Sequence, residues 1–527
     1  MLRISYRLHF SYDYMTTWLS SSGWLPLLSG IMAFLVMCWS IRLCPFTKVE
    51  ESFYIQAAHD FLYTTFDGSW DHIEFPGVVP RSFAGPAVLS TLVAPAVYFY
   101  EYWLGGCSEN TCPFQTKAHA QYLVRMTQAV VFLACNRFYA RALWKYTTES
   151  PTRTLFIYEL LSYSSFHIIF YGGRLLSNTF SLSGCLVGYG LWLRGQKRKA
   201  LFLLGLTAAI LRMDTLLVLA VFFSPKVFWV SKKTRLFLLT ELFLIIAVVS
   251  SFDGYVWRAN TLVIAELESM KYNVFEGKAT LWGTLPFYWY FAIALPKIFT
   301  AKLPLMAYAF FKEPCFRKNT IRAIVFVILY SFLPHKELRF IFPVIPIFHA
   351  HIALAISKYA NQRNKRVSFL CAFIILISVF HTVTAHIISS NNYPGGEFMT
   401  NFVLKSELSP NQEPRLIHYN CPRLKVLLDV YPCMTGITRF LELRQPNDIV
   451  FVKRRECQSI AEAVRAFLPN RFTHLLIETP TLPASSEMVF EDQKFQFDQA
   501  FECFDHVDWR KIRAVNRPVA ALYGNSL

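Results

Sequence analysis

Apolar residues recur along the first 390 positions in runs that are separated by short polar connections. The clearest runs lie at 24–40, 155–171, 179–193, 236–251, 323–333 and 367–384. These runs approach the roughly 20 residues that a helix needs to cross a bilayer. Backbone groups in hydrocarbon must satisfy their own hydrogen bonds, so such runs are expected to be helices. The pattern predicts an all-α polytopic membrane protein with about ten to twelve transmembrane helices.

The connections between these runs carry clusters of Lys and Arg. The clusters lie at 194–199, 232–235, 317–322 and 363–366, and such clusters are typical of cytoplasmic loops. One apolar run, 200–230, lies between two clusters and is interrupted by Arg212 and Asp214. If both clusters are cytoplasmic, the run enters the membrane and returns, with Arg212 and Asp214 at its tip. Such short arms are tolerated where protein or a wet cavity surrounds them.

The pattern changes after residue 390, where the chain becomes polar with short β-branched and apolar stretches. Strands are predicted at 448–453 and 473–478, with a helix at 459–467 between them. We therefore expect a transmembrane module at 1–390 and a non-membrane region at 391–527. The latter is expected to be a small mixed α/β domain.

Composition agrees with a membrane protein, since 54% of residues are hydrophobic and 17% are charged. Soluble domains carry about 25% charged residues. The net charge of +17 is accounted for by basic cytoplasmic loops. A nucleic-acid-binding protein would show a basic face on a soluble domain, and no such pattern is evident. The sequence has no Walker loop or Gly-rich dinucleotide motif, so an ATP-driven transporter is not supported.

The loop at 44–82 holds the densest set of chemically active side chains. Its first half predicts an amphipathic helix that carries Glu50 and Glu51. Its second half places acids, a His and an Arg among aromatic residues, a mixture that suits a hydroxyl-rich ligand. The residues expected to bind it are His59, Asp60, Asp71, His72, Glu74 and Arg81. The alternative is that these are solvated first-turn acids and an ordinary belt at the membrane surface.

Cationic side chains at the ends of apolar runs form a second group. They are Arg174, Arg212, His335, Lys336 and Arg339. Ionisable groups at membrane depth are costly and usually face a partner or a cavity. Several cations together would hold an anionic lipid phosphate, and Arg offers it a two-pronged hydrogen-bonding fork. Each cation taken singly is also explained by snorkelling or by a structural ion pair.

Several longer motifs carry a resemblance to a known family. They are TKVEESF at 47–53, DHIEFPGVVPR at 71–81, WGT at 282–284, HKELRFIFP at 335–343, NYPGG at 392–396 and TGITRF at 435–440. Together they resemble the dolichyl-phosphate-mannose-dependent mannosyltransferases of glycosyltransferase family 22. The resemblance extends from about residue 44 to residue 440. Within the family, the motifs are most similar to those of members that add the eighth mannose to the lipid-linked N-glycan precursor.

The resemblance implies a GT-C membrane fold with the active site in the first luminal loop, residues 44–82, at the endoplasmic reticulum membrane. It implies transfer of mannose from dolichyl β-mannosyl phosphate to Man7GlcNAc2-PP-dolichol in α-1,6 linkage, with inversion. A single displacement needs a base opposite the leaving phosphate. Glu50 is the expected base and Glu51 the fallback, because related enzymes often carry Asp-Glu at this position. Arg174, Arg212, His335, Lys336 and Arg339 would bind the donor phosphate.

The expected partners are therefore the donor, the lipid-linked acceptor and membrane lipid, with no nucleic acid. No cofactor or metal is expected, since the lipid donor is a co-substrate. An α-1,2-mannosyltransferase of the same pathway or of glycolipid-anchor synthesis is the alternative enzyme. A transporter or lipid flippase is the alternative outside enzymes; it would show inverted repeats with broken spans, which the sequence lacks. A purely structural membrane scaffold would leave the acid-rich loop and the cations unexplained.

Overall fold

The structure is a computed structural model. It describes residues 24–64, 68–104, 117–147, 151–223, 231–360, 365–397, 399–400, 424–428, 433–441, 449–453, 474–478, 485–490, 493–508 and 513–525. The α-helices are α1 (Trp24–Leu43), α2 (Val49–Tyr63), α3 (Asp71–Glu74), α4 (Ala84–Tyr98), α5 (Ala118–Ala142), α6 (Pro151–Tyr163), α7 (Phe166–Gly172), α8 (Ser177–Leu193), α9 (Lys197–Leu206), α10 (Thr215–Val218), α11 (Lys232–Val256), α12 (Ala265–Met270), α13 (Leu295–Phe299), α14 (Leu303–Lys312), α15 (Pro314–Ser331), α16 (Ile345–Ala360) and α17 (Lys365–Ser390). Turns of π-helix lie at Phe99–Leu104, Thr207–Leu211, Leu219–Phe223, Lys271–Phe275 and Tyr290–Ala294. Turns of 3-10 helix lie at Leu143–Tyr146, Lys278–Trp282, Thr300–Lys302, Leu338–Val344 and Arg439–Leu441.

Four helical segments among the described residues are long and apolar enough to cross a membrane. They are Lys232–Val256, Tyr290–Lys312, Leu338–Tyr359 and Phe369–Ser390, and Leu27–Leu43 is a shorter apolar helix. The Leu338–Tyr359 segment is enclosed by other helices over 94% of its apolar window, whereas Lys232–Val256 is enclosed over only 17%. The first is therefore a central helix, and the second exposes most of its apolar surface, as expected of a helix at the lipid boundary. The predicted helical membrane architecture is confirmed.

The apolar run at 200–230 is interrupted at its predicted tip. Helix α9 passes into the π-turn Thr207–Leu211, and Arg212 then adopts an extended backbone with φ −164° and ψ 115°. The short helix α10 follows from Thr215. Turns of π-helix often mark functional positions, and here the turn directly precedes Arg212, a half-buried cation.

The described chain forms two compact units. The first unit comprises 1–40, 78–85 and 128–385, and the second comprises 41–77, 86–127 and 386–527. The first unit therefore contains most of the apolar helices and all of the predicted donor-phosphate cations. Helix α2 and the strands after residue 423 belong to the second unit. The division of the chain at residue 390 into two domains remains a prediction.

The second unit includes a six-stranded mixed sheet. Its strands are β1 (Leu424–Leu428), β2 (Ile449–Lys453), β3 (His474–Glu478), β4 (Ser485–Phe490), β5 (Gln493–Asp508) and β6 (Arg513–Asn525), in the order β2-β1-β3-β6-β5-β4. Strand β1 is parallel to β2 and β3, and the remaining pairs are antiparallel. The two predicted strands correspond to β2 and β3. The helix predicted at 459–467 lies outside the described residues.

Candidate functional site

The two glutamates at the start of α2 have different surroundings. Both lie in the first turn, where the helix dipole favours negative charge. Glu51 is only 4% exposed, and its carboxylate accepts the backbone N–H of Lys48 at 3.5 Å, as in one half of a capping box. Glu50 is partly buried and makes no hydrogen bond or ion pair with any described residue. Glu51 therefore shapes the start of the helix, and Glu50 presents a carboxylate that no described residue contacts through a hydrogen bond or ion pair.

The last turns of α2 carry a buried chain of polar contacts. His59 and Asp60 are fully buried, and His59 Nδ1 lies 3.0 Å from Asp60 Oδ1. The ammonium of Lys117 lies 3.0 Å from His59 Nε2. Because an ammonium can only donate, Nε2 accepts and Nδ1–H donates to Asp60. Burial lowers the pKa of His59 well below its ordinary value, and the charges of Lys117 and Arg439 lower it further.

Asp60 connects three separate parts of the second unit. Its Oδ1 accepts the guanidinium of Arg439 at 2.6 Å, and its Oδ2 accepts the backbone N–H of Asp71 at 2.8 Å. Burial raises the pKa of Asp60, and the Arg439 charge offsets part of that rise. Arg439 also donates to the carbonyl of Ser69 at 2.9 Å. The carboxylate thus joins α2 to the loop after it and to the TGITRF segment.

The remaining acids of the predicted acceptor group lie on the short helix α3. His72 is 4% exposed, and its ring packs edge-on to Trp70 with centroids 5.5 Å apart. Asp71 is partly buried and Glu74 is exposed. The acceptor role predicted for all three stays a prediction, and the exposed carboxylate of Glu74 is the most accessible of them.

In the first unit, Arg212 is held by a carboxylate on the same tip. Its Nε donates to Asp214 Oδ2 at 2.6 Å, and the same oxygen accepts the hydroxyl of Tyr330 at 2.9 Å. The guanidinium carbon lies 5.1 Å from the ring centroid of Phe340. Arg212 is therefore oriented before any ligand arrives.

The HKELRF segment contacts Arg212 through Phe340 and carries two further cations, His335 and Arg339. Arg212, His335 and Arg339 are called the cation cluster below. Arg339 makes a two-pronged contact with Glu337, at 2.6 Å from Nε and 2.7 Å from one terminal nitrogen. His335 Nε2 lies 3.1 Å from the same carboxylate, and its Nδ1 lies 3.0 Å from the Gly283 carbonyl. Both of these partners are acceptors, so a ring nitrogen that carries a hydrogen can donate to its partner.

The other predicted cations are placed differently. Lys336 is 3% exposed and donates to the carbonyls of Leu285 and Leu333 at 2.8 Å and 2.5 Å, and burial lowers its pKa. Arg174 is fully buried, with its guanidinium carbon 3.9 Å from the Phe170 ring centroid. Both are engaged by the protein, and their predicted contact with phosphate stays a prediction.

Sequence reasoning missed Glu266, on α12. Its Oε2 accepts the backbone N–H of Met213 at 2.7 Å, directly beside Arg212. Burial raises the pKa of Glu266 to about 7, although the charges of Arg212 and Arg81 oppose the rise. Arg81, which was assigned to the acceptor, thus lies within electrostatic range of the cation cluster. Glu266 carried a signal, since it is an acid that stands between Leu267 and the apolar stretch at 262–265.

In the part of the chain that the structure describes, no group of three or more His, Cys, Asp or Glu side chains is placed to hold a metal ion. The expectation that the reaction needs no metal or cofactor remains a prediction.

Residues 31–407 match the Alg9-like mannosyltransferase family. A Drosophila melanogaster protein named Dol-P-Man:Man(7)GlcNAc(2)-PP-Dol alpha-1,6-mannosyltransferase is 30% identical over 489 residues, which cover 90% of this chain and 67% of that protein. The mouse protein named GPI alpha-1,2-mannosyltransferase 3 is 25% identical over 188 residues, or 34% of each chain. The similarity to the first protein is therefore both closer and far more extensive.

Among solved structures, the chain is similar to ArnT from Cupriavidus metallidurans in the apo state. The TM-score is 0.55 at 11% sequence identity, and the match covers 95% of this chain and 98% of ArnT. At this level of identity the similarity concerns the fold, and it confirms the predicted GT-C architecture.

Proposed function

This chain belongs to the Alg9-like mannosyltransferase family, and from this premise we propose its reaction. It transfers mannose from dolichyl β-mannosyl phosphate to Man7GlcNAc2-PP-dolichol and forms an α-1,6 linkage with inversion. The bond from mannose C1 to the phosphate oxygen breaks, and a bond from C1 to the acceptor 6-oxygen forms. The 6-hydroxyl proton passes to a carboxylate, and dolichyl phosphate leaves.

The base of this reaction is Glu50. A base must be free to accept a proton from the acceptor hydroxyl, and a carboxylate already committed to the protein is less suited to that task. The observation that carries the assignment is the difference between the adjacent acids: Glu50 makes no polar contact with any described residue, whereas Glu51 accepts the Lys48 N–H. Glu51 is therefore assigned to holding the start of α2.

The leaving phosphate is bound by Arg212 and Arg339, with His335 beside them. Each Arg is held by a carboxylate on its own segment, Asp214 or Glu337. A phosphate would compete with these carboxylates for guanidinium forks that are already oriented. Groups that are oriented in advance stabilise developing charge without reorganising during the reaction. Lys336 and Arg174 contribute positive charge from buried positions.

On the acceptor side, His59 and Asp60 act by positioning, because both are fully buried. Asp71, His72, Glu74 and Arg81 complete the proposed acceptor group, and Glu74 is the member that is exposed. The protein is an integral membrane protein. We place it in the endoplasmic reticulum membrane with loop 44–82 on the luminal side, where lipid-linked substrates of this kind would be used.

The decisive experiment is a product analysis. Purified protein is incubated with dolichyl mannosyl phosphate and defined Man7GlcNAc2-PP-dolichol, and the new linkage is mapped by methylation analysis and linkage-specific mannosidases. One added α-1,6-mannose is expected, and the Glu50→Gln variant should form this product about 1,000-fold more slowly. An α-1,2 product, or transfer only to a glycolipid-anchor precursor, would replace the proposal with the alternative enzyme.

A further inference from the structure

A cavity of about 280 Å³ lies within the first unit, apart from the cation cluster. Aromatic side chains form much of its wall, among them Tyr139, Tyr146 and Trp192. Lys318 and Arg322, one helical turn apart on α15, also line it. Lys318 is exposed, so the cavity opens to the surface on its basic side.

The cavity holds donors for which the described residues supply no acceptor. Lys318 and the hydroxyls of Tyr139 and Tyr146 make no hydrogen bond or ion pair there, although Tyr139 is only 1% exposed. Arg322 donates to Asn319 Oδ1 at 3.2 Å and has no acidic partner among the described residues. Buried polar groups are normally satisfied, so the unpaired hydroxyl of buried Tyr139, together with the two cations at the opening, points to an acceptor-rich, anionic ligand.

Acidic side chains are missing from the described lining of the cavity. Glu313 is the nearest one along the chain, and it is engaged elsewhere. Its carboxylate pairs with Lys358 at 3.1 Å and accepts the backbone N–H of Cys315 at 3.1 Å. A further cation stands beside the wall, because the ammonium of Lys197 lies 5.9 Å from the Trp192 ring centroid. The charged side chains that the structure describes around the cavity are therefore positive, and no described acid in the lining compensates them.

We propose that this cavity binds the phosphate-bearing headgroup of an anionic glycerophospholipid from the surrounding bilayer. Lys318 and Arg322 contact the phosphate, and the tyrosine hydroxyls donate to the remaining headgroup oxygens. Basic pockets between membrane helices on the cytoplasmic side are suited to such headgroups, and the Lys and Arg clusters predict that this end of α15 is cytoplasmic.

Two features favour a lipid over a free anion. The volume suffices for a headgroup, while the acyl chains would lie outside along apolar surface. Phe311 and Ile321, close to the two cations in sequence, are 74% and 44% exposed. Exposed apolar side chains beside a basic opening fit a ligand that is charged at one end and apolar at the other.

This site is distinct from the proposed donor site. Helix α15 rises about 20 Å between Lys318 and its last residue, Ser331, and the HKELRF segment begins only beyond that end. The two sites are nevertheless linked, because the hydroxyl of Tyr189, another wall residue, donates to the Pro343 carbonyl at 3.2 Å. Pro343 belongs to the same 3-10 turn as Arg339. A bound lipid would thereby support the segment that orients Arg339.

The test uses full-length protein that has been purified in detergent and delipidated. It is titrated with phosphatidylserine or phosphatidylcholine of equal chain length, and bound lipid is counted by native mass spectrometry. Wild type should prefer phosphatidylserine. The double variant Lys318→Gln with Arg322→Gln should bind phosphatidylserine about tenfold more weakly, with phosphatidylcholine unchanged. Cys315→Trp, which fills the cavity but keeps both cations, should weaken phosphatidylserine binding as well.

The matched control is Lys232→Gln with Lys233→Gln, which removes the same charge from exposed positions at the start of α11. It should retain wild-type preference. Equal weakening in both double variants would overturn the proposal in favour of general surface attraction. Displacement of phosphatidylserine by inorganic phosphate at matched concentration would overturn the lipid assignment, as would selective binding of dolichyl phosphate.

Discussion

The acid-rich loop at 44–82 and the cation cluster both contain carboxylates and cations, but they differ in which of these side chains are paired. In the cation cluster, both arginines are paired, Arg212 with Asp214 and Arg339 with Glu337. In the loop, Asp60 is fully engaged by Arg439 and Asp71, but Glu50 makes no polar contact with the described residues. The cation cluster holds its arginines in fixed orientations, whereas the loop leaves the Glu50 carboxylate without a polar partner among the described residues.

This difference follows from what each group has to do. A guanidinium that stabilises a leaving phosphate gains from being held in place before the reaction. A base must instead exchange a proton with the substrate, so a strong partner in the protein would lower its basicity. The absence of a partner for Glu50 among the described residues is thus as informative as the presence of partners at Arg212 and Arg339.

The largest expected effect comes from replacing, one at a time, the two acids at the start of α2 by Gln. Glu50→Gln should lower kcat by about 1,000-fold, as loss of a general base does, with little change in Tm because no described contact is lost. Glu51→Gln should retain far more activity and lower stability by about 0.5–1 kcal/mol through the weakened helix start. Turnover and thermal unfolding of both variants check this. If Glu51→Gln were the inactive variant, the assignment of the base would be reversed.

A second prediction concerns the committed carboxylate. Arg439→Gln leaves the buried carboxylate of Asp60 without its ion-pair partner, which should destabilise the second unit by about 3 kcal/mol. Adding Asp60→Asn removes that charge and should recover much of the loss. The double-mutant cycle can be measured by thermal unfolding. Independent, additive losses would show that the ion pair does not hold the loop.

Much of the fold follows from the hydrophobic pattern. Apolar runs form helices because a helix satisfies all of its own backbone hydrogen bonds in lipid. The polar interruption at Arg212 and Asp214 marks a break in the helix. Strands β2 and β3 could also be predicted from the sequence. The sequence did not predict that other runs divide into short helices joined by π-turns, such as Tyr290–Ala294. Hydrophobic periodicity does not distinguish one helical hydrogen-bond pattern from another.

The sequence predicted which residues belong to the candidate site, but it did not predict which side chains pair with one another. Glu50, Arg212 and Arg339 are unusual where they stand, and sequence alone identified them as candidates. The polar partners of His59 and Asp60 could not be predicted, because Lys117 and Arg439 are far away from them along the chain. Arg439 lies in the TGITRF motif, so its signal was present, whereas Lys117 has no local feature to mark it.

A third prediction compares two arginines of the first unit. Arg339→Ala should raise the apparent KM for the donor and lower kcat, with kcat/KM reduced about 100-fold, as for loss of one preorganised charge-stabilising group. Arg198→Ala removes an arginine that pairs with Glu241 at 2.8 Å on the exposed surface, and it should leave the kinetics unchanged. Steady-state kinetics with varied donor separate the two. Unchanged kinetics in Arg339→Ala would remove Arg339 from the phosphate site.

The smallest effect should come from Glu266, whose burial raises its pKa from 4.5 to about 7. The folded protein binds this proton more tightly than the unfolded chain, so the stabilisation is complete below pH 4.5 and is lost as the pH rises through 7. Between pH 6 and pH 7 the wild type should lose about 1 kcal/mol that Glu266→Gln does not lose. Thermal unfolding of both proteins at each pH measures this difference. Glu266 accepts a hydrogen bond from the Met213 backbone beside Arg212. The same comparison therefore tests whether an acid that carries its proton near neutral pH stabilises the position of Arg212. Parallel pH profiles would mean that Glu266 is ionised throughout this range and acts only as a hydrogen-bond acceptor.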